Sequence, residues 1–298
     1  MCLETGKVVG LVLHFRTPQS TLDCIRSLFA EGMRSFVLVD NSEDDGASLE
    51  EMSTEFLPLI EAGVHVQVLA PDKNLGFAKG VNTGLKQAIR GGADAVLLIN
   101  SDATLETGAL ASMVKNLDDA AVAVPRAREK KGAVAVSLFG SYQRAMALVF
   151  RTPLVACLRY PTGCCLLFRT SVLPPPLFDE RFFFYGEDVL LGLELQTKGI
   201  KVVECADATI IHAGSGSAKN GSFFYEYHMN RGHWLLAGKL APNWVLCVVY
   251  VVCRCVSLPL RAAIRSLRFR SFTPWRGLVS ATLDVARNRC RSFTPAPH

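Results

Sequence analysis

Short runs of branched apolar residues alternate with longer segments of mixed polarity through the first half of the chain. The runs have the length and the Val, Leu and Ile content of strands that are buried on both faces, and the longer segments have the apolar spacing of helices. This alternation predicts an α/β fold with a doubly wound, mostly parallel sheet. The predicted strands are 7–14, 35–40, 64–70 and 95–102, and the predicted helices are 17–31, 43–63, 76–90 and 108–117.

The second half of the chain has a less regular pattern. Residues 126–131 are expected to form a charged loop, and residues 133–156 an irregular apolar excursion. The remaining segments predict strands at 122–125, 161–169, 200–204 and 208–211, and helices at 189–198 and 223–240.

Polar side chains follow the fourth predicted strand, which ends in Asn100-Ser101-Asp102. Ligands bind at the carboxyl ends of the strands in an open α/β sheet. A carboxylate placed there can hold a divalent cation, and the cation can hold a diphosphate. The alternative is that Asp102 caps a helix starting near residues 104–107. The segment by itself favours neither interpretation.

The ends of the first three strands are also informative. The turn at 14–17 contains no glycine, which argues against the glycine-rich fingerprints of dinucleotide-binding folds and P-loop NTPases. The second strand ends in Asp40-Asn41-Ser42, whose first carboxylate can accept hydrogen bonds from a nucleoside or can form a tight turn. After the third strand, Lys73 and Gly76 lie in a polar loop before a helix whose N-terminus favours an anion.

An aromatic segment at 182–185 precedes the acidic pair Glu187 and Asp188 at a predicted helix start. Asp188 can simply complement the helix dipole. An aromatic wall can also keep a general base partly dry and adjust its pKa. His212 lies between a strand and the Gly/Ser-rich loop 213–217. It is a candidate metal ligand as well as an ordinary structural histidine.

In this order, four of these segments resemble those of the family-2 glycosyltransferases with the GT-A fold, in particular the rhamnosyltransferase-like branch. The resemblance extends over roughly residues 7–240, and a Tyr-rich segment at 225–231 adds to it. The four segments are Asp40-Asn41-Ser42, Asn74-Leu75-Gly76-Phe77, Asn100-Ser101-Asp102, and Tyr185-Gly186-Glu187-Asp188 with His212 after it.

The resemblance implies a role for each matching residue. Asp102 corresponds to the metal-binding Asp of the family's D-x-D-type motif, whose first acid is Asn100 in this chain. His212 corresponds to the His that can complete a site for Mg²⁺ or Mn²⁺. Asp188, with Glu187 beside it, corresponds to the catalytic base. The nucleotide-sugar site is expected to comprise His14, Asp40, Asn74, Gly76, Lys79, Asn100 and Ser101.

The implied reaction is an inverting transfer of a sugar, with rhamnose as one candidate, from a nucleotide-diphosphate donor. The implied acceptor is a glycan or a lipid-linked saccharide in cell-surface polysaccharide synthesis, and residues 133–156 are candidates to line its pocket. The chain departs from the family at Leu190, where a second acid often follows the base, and this departure affects acceptor positioning more than the reaction.

Two other functions remain open. A nucleotidyltransferase also combines an α/β sheet with a metal, but it needs a glycine-rich basic signature after the first strand, and residues 14–18 lack one. A catalytically silent nucleotide-binding or membrane-scaffold protein is the alternative from a different class.

Charge is distributed unevenly along the 298 residues, whose net charge is +5. Residues 231–298 contain eleven Lys and Arg residues and one acid, so this tail carries +10 and the rest of the chain −5. The uninterrupted apolar part, 244–253, is ten residues long, which is too short to cross a bilayer. With the basic segment 261–270, it favours peripheral contact of 243–270 with a membrane, or packing on the domain or in a homodimer. No nucleic-acid-binding motif accompanies the charge.

These features predict two regions, a GT-A transferase domain at 1–240 and a helical, basic appendage at 241–298, with 292–298 as a loose end. The ten cysteines form no CxxC pair, which favours a reducing, cytoplasmic location rather than a disulfide framework or a zinc site. No signal peptide is expected at the N-terminus. The protein is therefore expected in the cytoplasm, with contact to the inner face of the cell membrane as an option.

Overall fold

The computed structural model describes residues 7–152, 156–212 and 219–291. The Gly/Ser-rich loop expected after His212 and the end of the chain at 292–298 lie outside the described residues. The strands are β1 (Val8–His14), β2 (Ser35–Asp40), β3 (His65–Leu69), β4 (Ala95–Asn100), β5 (Ala103–Leu105), β6 (Val122–Arg128), β7 (Val136–Ser137), β8 (Phe139–Gln143), β9 (Leu148–Phe150), β10 (Leu158–Pro161), β11 (Cys165–Arg169) and β12 (Val202–His212). The helices are α1 (Pro18–Ala30), α2 (Ala47–Glu61), α3 (Gly76–Arg90), α4 (Ala109–Asn116), α5 (Glu187–Thr197), α6 (Phe223–Lys239), α7 (Trp244–Phe269) and α8 (Thr273–Arg291).

The central sheet has the strand order β3-β2-β1-β4-β11-β6-β12-β5, with β7 paired to β6. The first four strands in this order are parallel, and β11 runs antiparallel between β4 and β6. All of β4 from Ala95 to Ile99 is buried, as its unbroken apolar sequence predicts. The predicted α/β fold with a mostly parallel sheet is confirmed.

The register of this sheet brings the strand ends with polar residues to one edge. His14 at the end of β1 is opposite Asp40 at the end of β2, and Leu13 is opposite Asn100 at the end of β4. Parallel strands share the direction of their carboxyl ends, so the turns that follow β1, β2 and β4 meet above the same edge.

Several expectations for the second half of the chain are wrong. Strand β6 continues to Arg128 because it pairs with β12 and β7, so the first half of the expected charged loop is strand. Residues 133–156 contribute β7, β8 and β9 rather than an irregular excursion. The expected strand 161–169 begins too early: Pro161 ends β10, which joins a small antiparallel sheet with β8 and β9, and only Cys165–Arg169 forms β11 of the central sheet.

The strand that carries His212 is continuous. The two short strands expected at 200–204 and 208–211 form the single strand β12, whose register on β6 shifts between Glu204 and Thr209. The apolar pattern is interrupted at this irregularity, and for this reason the sequence suggested two strands.

The turn after β4 decides between the two interpretations of Asp102. The chain passes from β4 through Ser101 and Asp102 directly into β5, and α4 begins only at Ala109 with Gly108 as its N-cap. The interpretation of Asp102 as a helix cap is therefore wrong. Pairing of His212 with Ala103 brings the end of β12 to this turn.

The C-terminal helices form a second apolar core together with the small sheet and α5. Helix α7 is 26 residues long and continues through Arg254 and Pro259, well beyond the ten-residue apolar run 244–253. Arg254 is fully buried and donates hydrogen bonds to the carbonyl oxygens of His233 and Arg144, which lets the helix continue through a charged residue. Within the described residues, α7 is the one helix long and apolar enough to cross a membrane. Helix α8 lies in the expected helical appendage, for which no separate helix bounds were predicted.

Candidate functional site

A cavity of about 530 Å³ opens above the carboxyl edge of the central sheet. Nine of the eleven predicted site residues line it, whereas Asp40 and Lys79 do not. Most of these residues are distant in sequence, and the sheet register and the loop before α5 bring them together. The nine are His14, Asn74, Gly76, Asn100, Ser101, Asp102, Glu187, Asp188 and His212.

Asp102 and His212 form a close pair in this cavity. His212 Nε2 lies 3.2 Å from Asp102 Oδ1, and both side chains are mostly buried. The hydrogen bond to Asp102, followed by one to Cys164, raises the pKa of His212 to about 10. The pair offers one oxygen and one nitrogen ligand, and the described residues contain no group of three or more His, Cys, Asp or Glu side chains arranged for a metal.

Glu187 and Asp188 begin α5 after a turn in which Tyr185 and Gly186 have positive φ angles of 67° and 101°. Glu187 is buried, and its Oε2 has no hydrogen-bond partner among the described residues. Asp188 is half-buried, and its Oδ1 accepts a hydrogen bond of 2.8 Å from the Val189 amide. Burial raises the pKa of both carboxyl groups.

A loop contact joins the start of α3 to the loop before this acidic pair. The amide of Phe77 donates a hydrogen bond of 2.7 Å to the carbonyl oxygen of Phe183. Gly76 has a φ of +73°, and a Cβ at this position would collide with the same carbonyl oxygen. Glycine is therefore required at position 76 by backbone conformation as well as by close approach.

Aromatic residues form one wall of the cavity. Phe184 and Tyr185 pack edge to face with ring centroids 4.5 Å apart, and Tyr185 packs against Tyr225 of α6 at 5.2 Å. The aromatic segment before Glu187 was noted in the sequence, but the contribution from α6 depends on helix packing. The aromatic residues that line the cavity are Phe15, Phe77, Phe183, Phe184, Tyr185, Phe224 and Tyr225.

Asn41 lines the cavity although sequence reasoning selected its neighbour Asp40. Its Nδ2 donates to the carbonyl oxygen of Gly76 at 3.1 Å, and its Oδ1 accepts from the Leu75 amide at 3.3 Å. Asp40 turns away from the cavity, and its Oδ1 accepts a hydrogen bond of 2.9 Å from the Ser42 amide. The side chain of Asp40 thus has the geometry of the turn alternative.

His14 and Lys79, two further predicted site residues, lie in very different environments. His14 is buried, and its Nδ1 and Nε2 lie 2.8 Å from the Thr21 hydroxyl and 2.9 Å from the Ser48 hydroxyl. Both ring nitrogens are thus engaged within the protein. Lys79 lies on the exposed side of α3.

A second cavity, of about 340 Å³, adjoins the first at Asp188. It lies between the small sheet, α5, α6 and α7, and residues 147–149 form part of its wall. Asp188, Tyr185 and Tyr225 line both cavities. The second cavity is also lined by Tyr142, Tyr160, His233, Arg261 and Arg265.

Solved structures with a similar fold are glycosyltransferases. GalNAc-T7 with UDP, GalNAc and Mn²⁺ is 15% identical with a TM-score of 0.58, and the match covers 78% of this chain and 47% of that one. This chain therefore spans less than half the length of that protein. The mannosyltransferase PcManGT from Pyrobaculum calidifontis, with GDP-Man and Mn²⁺, is 14% identical with a TM-score of 0.56, covering 93% and 86% of the two chains.

A third similar structure is S. aureus TarS 1–349 with UDP-GlcNAc, at 17% identity and a TM-score of 0.52, with 92% and 79% of the two chains covered. At identities this low, the structural similarity shows a shared GT-A fold. No curated protein sequence matches the chain.

The sequence itself matches the family model described as glycosyltransferase like family 2 over residues 11–235. This region extends from within β1 to most of α6 and includes Asp102, Glu187, Asp188 and His212. The match covers well over half of the chain, and the chain therefore belongs to glycosyltransferase like family 2.

Proposed function

We propose that this protein is an inverting, metal-dependent glycosyltransferase that moves a sugar from a nucleotide-diphosphate donor to a hydroxyl group of a glycan or lipid-linked saccharide. The observation that carries the proposal is the position of Asp188, which lines both cavities. The larger cavity also contains the Asp102–His212 pair, which suits a donor diphosphate. A base at the junction can meet an acceptor in one cavity and the reacting carbon of a donor in the other.

In the proposed reaction, Asp188 takes the proton from the acceptor hydroxyl. The acceptor oxygen attacks the anomeric carbon as the bond from that carbon to the diphosphate breaks, and attack from the opposite face inverts its configuration. Burial raises the pKa of Asp188 and so makes its carboxylate a better proton acceptor. The hydrogen bond from the Val189 amide holds the carboxylate in place.

Glu187 has a supporting role in this proposal. Two neighbouring buried carboxyl groups do not ionise together easily, and Glu187 is the more deeply buried of the two. A proton retained by Glu187 leaves the negative charge on Asp188, where it is needed. Glu187 also lines the larger cavity, and its Oε2 is buried without a hydrogen-bond partner among the described residues.

The donor set of Asp102 and His212 fits a hard-to-borderline divalent cation such as Mg²⁺ or Mn²⁺. Such a cation, when bound, would neutralise the diphosphate leaving group. The chain's own contribution is to hold a carboxylate and an imidazole together at the sheet edge, which the pairing of β12 with β5 achieves. His212 must release its proton to serve as a ligand.

The finer assignments rest on the sequence. Rhamnose as the sugar, cell-surface polysaccharide synthesis as the pathway and a cytoplasmic location at the inner face of the membrane belong to this proposal. The same applies to the division into a transferase domain at 1–240 and an appendage at 241–298. Residues 147–149 support the expectation that the 133–156 segment borders the acceptor.

Calorimetric titration of the purified chain with UDP, dTDP and GDP, each with and without Mn²⁺, tests the donor site. We expect one nucleotide to bind in a metal-dependent way and Asp102→Ala to weaken that binding. The matched control is Asp94→Ala, because Asp94 lies just before β4 at the opposite, exposed end of the same strand. Failure of all three nucleotides to bind to the folded protein would contradict the proposal and favour a scaffold role.

The base assignment has a separate test in a transfer assay with the nucleotide sugar that binds. Asp188→Asn should lower kcat by about 10²- to 10⁴-fold, the usual contribution of a positioned general base, with nucleotide affinity unchanged. Glu194→Gln on the same helix is the control, because this glutamate points toward Lys198 at the far end of α5. Equal activity of the two variants would remove Asp188 from the mechanism.

A further inference from the structure

Helix α7 has an outward face that nothing in the described chain covers. Its apolar side chains recur every three or four residues from one end of the helix to the other, and each is at least 43% exposed. Soluble surfaces rarely carry so long an uninterrupted apolar strip without a partner. We call these residues the α7 stripe: Trp244, Val245, Val248, Val249, Val252, Val256, Leu260, Ile264 and Leu267.

The opposite face of α7 is fixed to the catalytic domain by three arginines. Arg254 is fully buried and donates to two backbone carbonyl oxygens, those of His233 and Arg144. Arg261 and Arg265 form ion pairs of 3.0 and 2.6 Å with the buried carboxylate of Glu226. Separation of these groups would leave buried charges unpaired, so α7 stays attached to the domain.

This attachment determines whether α7 can span a bilayer or only lie along its surface. A spanning helix is surrounded by lipid or by other spanning segments, but the inner face of α7 is packed on the domain through apolar side chains and the three arginines. A helix that exposes only one apolar face, with basic residues beside it, lies in the interfacial plane of a bilayer. Helix α7 is long and apolar enough to span a membrane, but because its inner face is bound to the domain we expect it to lie in the membrane plane.

The positive charge around the α7 stripe favours an anionic lipid surface over a second copy of the chain. The region after residue 230 carries eleven basic residues and one acid, and the exposed Arg268, Arg270 and Arg276 lie at the C-terminal end of the stripe and just beyond it. A second copy of the chain would bring an equally basic surface against this one, which opposes association through the same face. Anionic lipid headgroups are attracted to such a surface.

We propose that the α7 stripe docks on the surface of a bilayer that contains anionic lipid, with the axis of α7 parallel to the membrane plane. The inner face of the same helix lines the second cavity through Arg261 and Arg265. Docking therefore holds that cavity close to the lipid surface. The assignment of this cavity to an acceptor carried by lipid rests on the proposed function, whereas the docking itself does not.

Flotation of the full chain with vesicles tests the surface. Phosphatidylcholine vesicles with and without phosphatidylglycerol separate the apolar from the ionic contribution. The double variant Val252→Asp/Val256→Asp changes two residues that are 59% and 64% exposed, so it should fold normally. Its matched control is Leu57→Asp/Ile60→Asp on α2, where the side chains are 59% and 52% exposed.

We expect the wild-type chain and the α2 variant to float with phosphatidylglycerol vesicles and the α7 variant to lose at least tenfold in binding. Arg268→Gln should weaken binding about fivefold, the contribution of one basic residue near an anionic surface. Alkaline carbonate should release the bound protein, as it does proteins that do not span the bilayer.

Three results would overturn the proposal. The first is no binding to either kind of vesicle, and the second is equal binding of the α7 and α2 variants. The third is a dimer in sedimentation velocity that the α7 variant abolishes, without vesicle binding by the wild type. Carbonate-resistant binding would overturn the in-plane orientation. Nucleotide titration of the same samples keeps the two questions apart, because a protein that binds nucleotide but no vesicles retains its proposed activity.

Discussion

Replacement of Glu187 by glutamine should make the folded protein more stable at neutral pH, and the gain should grow as the pH rises. The side chain is 7% exposed, and its Oε2 has no hydrogen-bond partner among the described residues. Burial, and then the neighbouring Asp188 carboxylate, raise the pKa of Glu187 above its ordinary value of 4.5. The folded protein therefore keeps a proton that the unfolded chain releases.

The sign of the effect follows from the linkage between proton binding and folding. Well below the ordinary pKa of 4.5, both states are protonated and Glu187 imposes no penalty. As the pH rises from 4.5 toward the raised pKa of the folded state, the unfolded state is favoured because it can ionise. The free energy of unfolding then falls by at most about 1.4 kcal/mol per pH unit for one group. Because Asp188 titrates together with Glu187, we expect about 1 kcal/mol per unit.

Urea unfolding followed by circular dichroism, at several values between about pH 5 and about pH 7, measures this effect. The quantity of interest is the difference in the free energy of unfolding between Glu187→Gln and the wild type, which should widen with pH. Glu194→Gln removes a half-exposed carboxylate from the same helix and should give a nearly constant difference, because water screens its charge. A constant difference for Glu187→Gln as well would refute the reasoning.

Three further substitutions test the packing around the site by the same unfolding measurement. Gly76→Ala should cost at least about 1–2 kcal/mol, because alanine must adopt a left-handed conformation at a φ of +73°. Asn82→Ala should cost about 2–4 kcal/mol, because its amide makes hydrogen bonds of 3.0 and 2.8 Å with the backbone N–H and C=O of Phe178, which would be left buried and unpaired. Tyr142→Phe should cost about 1–3 kcal/mol, because its hydroxyl lies 3.0 Å from Nδ1 of the buried His233.

Each of these expectations has its own contrary result. An alanine at position 76 that leaves stability and nucleotide binding intact would show that the loop before α3 can move away from the acidic pair. A cost well below 1 kcal/mol for Asn82→Ala would mean that water replaces the amide at the Phe178 backbone. For Tyr142→Phe, unchanged stability would mean that the contact with His233 contributes nothing to folding.

The strands of the first half were predictable because the layers on both faces of the sheet require an apolar side chain at nearly every position. A parallel strand covered on both faces needs an unbroken apolar run, and β1, β2 and β4 have one. The polar residues that follow such runs must lie at the ligand-binding edge. For this reason Asn100, Asp102 and the other strand-end residues could be selected before any distances were known.

The second half was less predictable because strand partners, rather than local pattern, decide its elements. The expected strand 161–169 contains β11, but Pro161 belongs to β10, which pairs with β8, and only Cys165–Arg169 pairs with β4 and β6. The division between β10 and β11 depends on these distant partners. The same reason explains why the register shift in β12 was mistaken for a gap between two strands.

Side-chain direction limited the site prediction. Asp40 and Asn41 are neighbours after β2, but the Asp40 carboxylate turns back to the Ser42 amide while Asn41 bonds the loop at Gly76 and lines the cavity. Sequence favoured the carboxylate because it can accept hydrogen bonds from a nucleoside. Only the packing of the loop before α3 shows which of the two side chains faces the cavity.

The sequence by itself determined the α/β class, the carboxyl edge as the location of the site, and an apolar and basic C-terminal region, because hydrophobic period and residue type act locally. The tertiary structure decided the pairing of His212 with Asp102, the position of Asp188 between two cavities and the exposure of the α7 stripe. These features join segments far apart in the chain, and their geometry depends on strand register and helix packing, which composition and spacing do not specify.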